Sequence, residues 1–190
     1  TNPLEQFNVW FQIAIDAEVN EANAMAISTI SEEGTPRSRY VLFKDIVDNK
    51  LVFYSDYESS KGREMENNPN ISGLFFWPEL HRQIRLEGVV SKTSDEVSDN
   101  YFASRPRGAQ LSAIASSQST EIEGRETVED RIKELEIEFE GKDIPRPDNW
   151  GGYAIDISFW EFWQGRRSRT HDRFIYVKND NSWEITRLSP

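Results

Sequence analysis

The chain contains no cysteine. That removes disulfide bridges, thiolate nucleophiles and cysteine-ligated zinc together, and it leaves the redox compartment open. Histidine is scarce, with His81 and His171 alone, so no histidine-built metal site is expected. No apolar run approaches the roughly 18 residues that a membrane-spanning helix needs, and no signal-peptide pattern opens the chain. A soluble, cytoplasmic protein without a membrane partner is therefore expected. Positive charge is also short: 22 Lys+Arg stand against 33 Asp+Glu, for a net charge of −11. Nucleic-acid binding needs a basic face to displace counterions, and no such partner is expected. What the chain has in quantity is aromatic side chains, with six Trp, six Tyr and eleven Phe among 190 residues. That is enough to build a real core, and one domain over residues 1–190 is the expectation.

Against the acidic background one stretch stands apart, Glu161–Phe174. Its part from Arg166 to Arg173 holds Arg166, Arg167, Arg169, Arg173 and His171 against a single Asp172, with Phe162 and Trp163 just upstream. A cationic cluster beside an indole suits a small aromatic anion, because arginine grips phosphate bidentately and tryptophan offers a ring face. The same residues also read as a solvated hairpin whose arginines offset nearby carboxylates. A second candidate anion seat is Ser59-Ser60-Lys61-Gly62, where hydroxyls, a cation and free backbone N–H groups meet at a helix start. An ordinary serine cap accounts for those residues equally.

Periodicity supplies the elements around these stretches. Residues 1–20 read as an amphipathic helix, with Leu4, Phe7, Phe11 and Ala14 at helical spacing. Strands are predicted over 23–30, 37–43, 50–55, 71–77 and 83–92, with turns at 31–34 and at Asp48-Asn49. Within the last of them Gln83, Arg85 and Glu87 alternate with Ile84, Leu86 and Gly88, a polar face set against an apolar one. Helices are predicted over 59–67, from a capping box at Thr93–Glu96 to about Ser104, over 109–117, and over 125–140 with Gly141 as its C-cap. Pro145 and Pro147 make 143–149 a rigid connector. Closing strands are expected over 151–157, 159–165, 172–177 and 183–188, with a turn at 178–182. Nine or so short strands with packed helices point to a mainly β, α+β chain whose sheet closes into a barrel. His81 reads as structural or surface, and Trp10, Trp77 and Trp183 as core or interface packing.

Taken together, the segments resemble the pyridoxamine 5′-phosphate oxidase family. The resemblance rests on Arg39-Tyr40-Val41-Leu42-Phe43-Lys44, Phe53-Tyr54-Ser55, Lys61, Asn68-Pro69 and Arg82-Gln83 in the first half of the chain. It continues through Tyr101-Phe102, Ser104-Arg105-Pro106-Arg107, Gln118-Ser119, Trp150-Gly151-Gly152, Glu161–Gly165, Arg169 and His171–Phe174. These blocks in this order are far more specific than any one of them. The resemblance implies an FMN-binding split β-barrel, a homodimer with two FMN sites across the subunit interface, and a place in vitamin B6 salvage. The implied reaction is oxidation of pyridoxine or pyridoxamine phosphate to pyridoxal 5′-phosphate. Electrons pass through FMN to O2, which leaves as hydrogen peroxide, and the amine substrate releases ammonia.

The resemblance also implies roles. Arg39 and Lys61 would hold the FMN phosphate with Tyr54 and Ser55 nearby, while Tyr40, Val41 and Leu42 run along the flavin. Gln83, Gln118 and Ser119 would hydrogen-bond the flavin or its ribityl chain, and Trp163 and Arg173 would complete the pocket from the partner subunit. Lys44, Tyr101 and Arg105 would clamp the substrate phosphate. Arg169 and His171 would cover and orient the pyridine ring for hydride transfer from C4′ to flavin N5, as positioning groups first and proton handlers second. Three residues depart from the family pattern: Ser60 where arginine is common, Ala109 where a phosphate-binding serine is usual, and Thr170 where leucine is usual. The lost cation at Ser60 is worth about 1 kcal/mol or more of FMN binding if its hydrogen bond is charge-assisted. The sequence opens at Thr1-Asn2-Pro3, where well-studied members carry a basic, tyrosine-bearing segment that helps close the substrate site. Two rival readings share the scaffold: an oxidase of another aromatic substrate, as in phenazine pathways, and a non-catalytic flavin or pyridoxal-phosphate carrier.

Overall fold

The computed structural model describes residues 2–180 and 182–190. The expected helix start at Thr1 and residue 181 of the expected turn lie outside them. Helix α1 (Pro3–Asp16) opens on Asn2, whose side chain accepts from the Leu4 N–H at 2.9 Å, and proline takes a first-turn position that has no N–H to satisfy. It stops short of the expected residue 20 because Glu18 adopts a left-handed φ of 53° and the chain folds back over the buried Val19 and Ala22.

Strands β1 (Ala24–Ile30), β2 (Pro36–Leu42), β3 (Asp45–Val47) and β4 (Lys50–Asp56) follow. Asp48 and Asn49, at φ 50° and 62°, form the tight hairpin between the last two; both central residues need positive φ there, which Asp and Asn tolerate. Helix α2 (Ser60–Asn67) leads into β5 (Asn70–Trp77) and β6 (Arg82–Lys92). Three helices come next, α3 (Asp95–Ser104), α4 (Arg107–Ala115) and α5 (Arg125–Glu138), and then β7 (Trp150–Gln164), β8 (Asp172–Asn179) and β9 (Ser182–Leu188). The cap of α3 is Ser94, which accepts from Val97 N–H at 3.3 Å, so the box expected from Thr93 to Glu96 does not form. Gly141 likewise lies beyond the C-cap of α5, which is Phe139.

All pairings are antiparallel, in the order β2-β1-β5-β6-β7-β4-β3, with β8 and β9 added along the second half of β7. The sheet curls into a split barrel. Where two strands are expected on either side of residue 158, the structure has one strand of 15 residues. Gly88 faces Ile157 while Glu87 faces Phe159, so Ser158 is the extra residue of a β-bulge. The bulge re-phases the strand: Tyr153, Ile155 and Ile157 point into the core before it, and Trp160 and Phe162 after it.

The main core is aromatic. Phe7 of α1 is fully buried, with its ring centroid 5.3 Å from those of Phe43 and Phe75 and 5.5 Å from that of Trp160. Burying rings of this size is worth roughly 1.5–3 kcal/mol apiece. A second cluster (Phe102, Leu111, Leu135, Ile144 and Trp150) fastens α3, α4 and α5 to the start of β7. Among the described residues no helix is long and apolar enough to cross a membrane.

Candidate functional site

Between the outer end of β4 and helices α3 and α4 lies a cleft of about 640 Å³. Its walls include Leu42, Lys44, Tyr54, Ser55, Tyr101, Arg105, Ala109, Gln118 and Trp150. Strand alternation in β4 sends Phe53 into the core and turns Tyr54 outward to the cleft. There its ring stacks on Tyr101 of α3 at 3.7 Å and 9°, with Trp150 nearly parallel at 5.6 Å. Burial, helped by Asp45 and Tyr101, pushes the Tyr54 hydroxyl up to about 12, so it remains a neutral donor at ordinary pH.

Arg105 is the C-cap of α3, and its guanidinium carbon lies 4.5 Å over the Trp150 ring. Its Nη1 is buried without a hydrogen-bond partner. Burial lowers the Arg105 pKa, yet arginine stays charged in any protein. A buried cationic donor left unpaired costs the fold, and an incoming oxyanion satisfies it. Among the described residues one other side-chain atom shares that condition, Arg82 Nη1; that arginine donates from Nε to Gln164 at 2.8 Å and lies over Trp10.

Next to the cleft is a second cationic group. Ser59 caps α2, its Oγ accepting from Gly62 N–H at 3.2 Å, and Lys61 Nζ donates to Ser59 Oγ at 3.0 Å and to Gln118 Oε1 at 2.8 Å. The serine is thus the ordinary cap that the plainer reading expects, and the lysine candidate is held beside it at the helix start. Ser55 Oγ donates to the same Gln118 oxygen at 3.1 Å. Burial, with Arg39 second, pulls Lys61 down to about 8, while Asp56 and Glu64 oppose the shift. Arg39 donates from Nη2 to Glu64 at 2.7 Å and from Nη1 to Thr29 Oγ1 and to the Arg37 carbonyl. Val41 is buried and offers only backbone, whereas Tyr40 is exposed and Ser119 sits in the following loop at φ 72°.

Sequence reasoning gave three residues here no role. Trp150 backs Arg105. Asp56 accepts from the Gln118 N–H at 3.3 Å and from Asn149 Nδ2 at 3.4 Å, tying two loops to the cleft wall. Glu64 holds Arg39. The signals were available: Asp56 directly follows the Tyr54-Ser55 pair, and Glu64 lies one helical turn beyond Lys61.

The remaining candidates occupy the far end of the sheet. Gln83, Trp163 and Arg173 stand in one row across β6, β7 and β8. His171 packs 4.6 Å from Trp163, and its Nδ1 accepts the Arg166 N–H at 3.1 Å, which places the proton of the neutral ring on Nε2. Arg169 is exposed at φ 60°. Part of the cationic cluster offsets carboxylates, as the plainer reading of the hairpin has it: Arg166 pairs with Asp172 at 2.7 Å, and Arg173 with Glu161 at 2.6 Å. Glu161 is buried and also receives Arg85; burial raises its pKa, but the bonds from Arg173 and Arg85 hold it below the ordinary value. Arg167 and Arg169 form no ion pair among the described residues. None of this second group lines the cleft, so one protomer holds the two sets of candidates apart.

A split barrel with a cation-walled, aromatic-lined cleft is the class that fold and site define. Comparison with known proteins narrows it. Residues 11–138 match the family described as pyridoxamine 5′-phosphate oxidase, and residues 150–190 the pyridoxine 5′-phosphate oxidase C-terminal dimerisation region. A pyridoxine/pyridoxamine 5′-phosphate oxidase from Burkholderia mallei (strain SAVP1) is 50% identical over 192 residues, covering 100% of this chain and 89% of that relative. One of the same name from Cyanothece sp. is 47% identical over 189 residues with the same coverage. Among solved structures, PhzG from Burkholderia lata 383, in complex with tetrahydrophenazine-1-carboxylic acid, superposes with a TM-score of 0.94 at 31% identity, covering 100% of this chain and 93% of that one. A pyridoxamine 5′-phosphate oxidase-related, FMN binding protein from Nostoc punctiforme shares the fold at a TM-score of 0.79 and 16% identity, covering 100% and 99%. The chain belongs to the pyridoxamine 5′-phosphate oxidase family. It is an oxidoreductase of that split-barrel class.

Proposed function

We propose that the protein is an FMN-dependent oxidase. Its reaction converts pyridoxamine or pyridoxine 5′-phosphate to pyridoxal 5′-phosphate and reduces O2 to hydrogen peroxide; on the amine route water supplies the aldehyde oxygen and ammonia leaves. The observation that carries this reading is the unpartnered Arg105 Nη1, buried against Trp150 in a cleft that also presents Lys44 and Tyr101. Two cations and a phenol around one vacant donor suit a phosphate dianion, and the parallel rings beside them suit a flat heterocycle. The donors beside the cleft also fit FMN: Arg39 and Lys61 for its phosphate, and Ser55, Gln118 and Ser119 for its ribityl chain and ring edge. When bound, FMN supplies the two-electron acceptor. Lys44, Tyr101 and Arg105 hold the substrate phosphate. Trp163, Arg169, His171 and Arg173 belong to the same site through the partner subunit of a homodimer, with Arg169 and His171 covering and orienting the substrate ring.

Likeness to PhzG, whose structure contains a tetrahydrophenazine carboxylic acid, supports a second reading in which the substrate is another aromatic acid. Ala109 on the cleft wall is consistent with it, because alanine offers no hydroxyl to a phosphate. The deciding assay offers FMN-loaded protein pyridoxamine 5′-phosphate, and follows peroxide release together with aldehyde absorbance. Equal yields of the two establish the phosphopyridoxine oxidase. An FMN-bound protein that makes neither product from this substrate removes that reading and leaves the aromatic acid.

A further inference from the structure

Glu64 is a glutamate on a helix face, and such residues usually point to water; here it is 5% exposed. Its carboxylate receives three donors. Arg39 Nη2 reaches it at 2.7 Å, Arg37 Nη1 at 3.1 Å, and the Thr29 hydroxyl donates as well. Thr29 is fully buried and in turn accepts from Arg39 Nη1, so arginine, threonine and glutamate close a ring that fixes the guanidinium plane. Glu64 also lies three residues after Lys61 on α2, and one turn of this helix thus carries both the lysine and the anchor of the arginine.

We infer that Glu64 is the positioning residue of the cofactor-phosphate seat: it sets the fork of Arg39 beside Lys61 so that the two grip a phosphomonoester together. The inference rests on the assignment of Arg39 and Lys61 to the FMN phosphate. A carboxylate near a phosphate seat is repulsive at long range, so its presence needs a local gain. That gain is orientation, together with relief of the repulsion between the two cations. Arginine recognises phosphate through a planar fork, and a fork free to rotate among solvent rotamers loses most of that advantage. Lys61 is lowered in part by Arg39 and raised by Glu64, which matches a carboxylate that permits both cations to remain charged side by side. Hydrogen bonds from Thr29, Arg39 and Arg37 in turn hold Glu64 below the ordinary glutamate value against the opposing effect of burial.

The test compares the affinity of FMN with that of riboflavin, which shares every contact except the phosphate. In the unaltered protein FMN binds the tighter of the two; equal affinities there would remove the phosphate seat itself and the inference with it. With the seat established, Glu64→Ala lowers FMN affinity about tenfold or more while riboflavin affinity stays unchanged. Glu64→Gln, whose amide oxygen still accepts from Arg39, restores affinity to within about threefold. Thr29→Val keeps the side-chain shape, removes the hydroxyl from the ring, and shifts the FMN-to-riboflavin ratio in the same direction. In an Arg39→Ala background Glu64→Ala has no further effect on that ratio. Equal losses for FMN and riboflavin would reduce Glu64 to a structural residue and overturn the inference. A rise in FMN affinity would also overturn it, since Glu64 would then compete with the phosphate for Arg39.

Discussion

At Arg105 the flat guanidinium over Trp150 and the vacant Nη1 together define a donor that lysine cannot reproduce, because an ammonium has neither the plane nor the fork. Arg105→Lys should therefore keep FMN bound but raise KM for the phosphorylated substrate. A charge-assisted hydrogen bond is worth about 1.5–3 kcal/mol, which corresponds to roughly 10–150-fold, and steady-state kinetics read it directly. Lys61 makes a pH-dependent prediction. Its folded value of about 8 lies below the usual 10.5, so the uncomplexed protein loses this cation as pH rises through 8. FMN affinity should be full below about 8 and fall above it, by at most about tenfold per pH unit. Flavin-fluorescence titrations at stepped pH measure this, and Lys61→Met should abolish the dependence. The sign for stability is opposite. Between about 8 and 10.5 the unfolded chain binds the proton and the folded chain does not, so this group makes the FMN-free protein more stable as pH rises through that window.

Helix α2 reaches its place by close approach. A Cβ at Gly62 would come 2.0 Å from the Tyr57 carbonyl oxygen, which is backbone and has little room to move. Gly62→Ala should shift the first turn of α2, cost about 1–3 kcal/mol in a denaturant melt, and weaken FMN binding in the same variant because Lys61 and Glu64 move with the helix. Such tight contacts are hard to see in a sequence, where Ser-Ser-Lys-Gly reads as a cap whatever lies opposite. The elements themselves were largely legible, since they follow from alternation and helical spacing. The misreadings have two causes. At residue 158 the apolar phase slips by one, and a one-dimensional pattern reports this as a break between two strands; only the partner register, Glu87 with Phe159 and Gly88 with Ile157, reveals a bulge in a continuous one. The over-extended α1 and the misplaced cap of α3 are end effects, where neighbouring residues compete for one role and tertiary contacts decide.

Across the whole molecule the candidate residues divide into two sets, one around the cleft and one at the far end of β7. Blocks of matched residues picked out both sets of candidates, and the resemblance implied that Trp163 and Arg173 come from the partner subunit; that Gln83, Arg169 and His171 lie with them was not legible, because adjacency in a fold is a property of the sheet path. If the sets meet across a two-fold interface, Arg105→Ala and His171→Ala damage opposite contributors to one site. Mixing the two inactive variants should regain about one quarter of the wild-type activity by random assortment, since half the dimers are mixed and each of those has one intact site. No recovery after verified subunit exchange would place both residues in the same protomer's site. The bulge in β7 also sets which changes of chain length this fold can absorb. Because the side-chain period is two, deleting Ser158 would leave Ile157 and Trp160 two residues apart and both still inward, whereas deleting Glu161 would turn Phe162 out of the core and break the pairs with Arg85 and Arg173. Length variation among relatives should therefore be tolerated at the bulge and in the exposed 120–123 loop, and excluded from the stretch of β7 between Trp160 and Gln164.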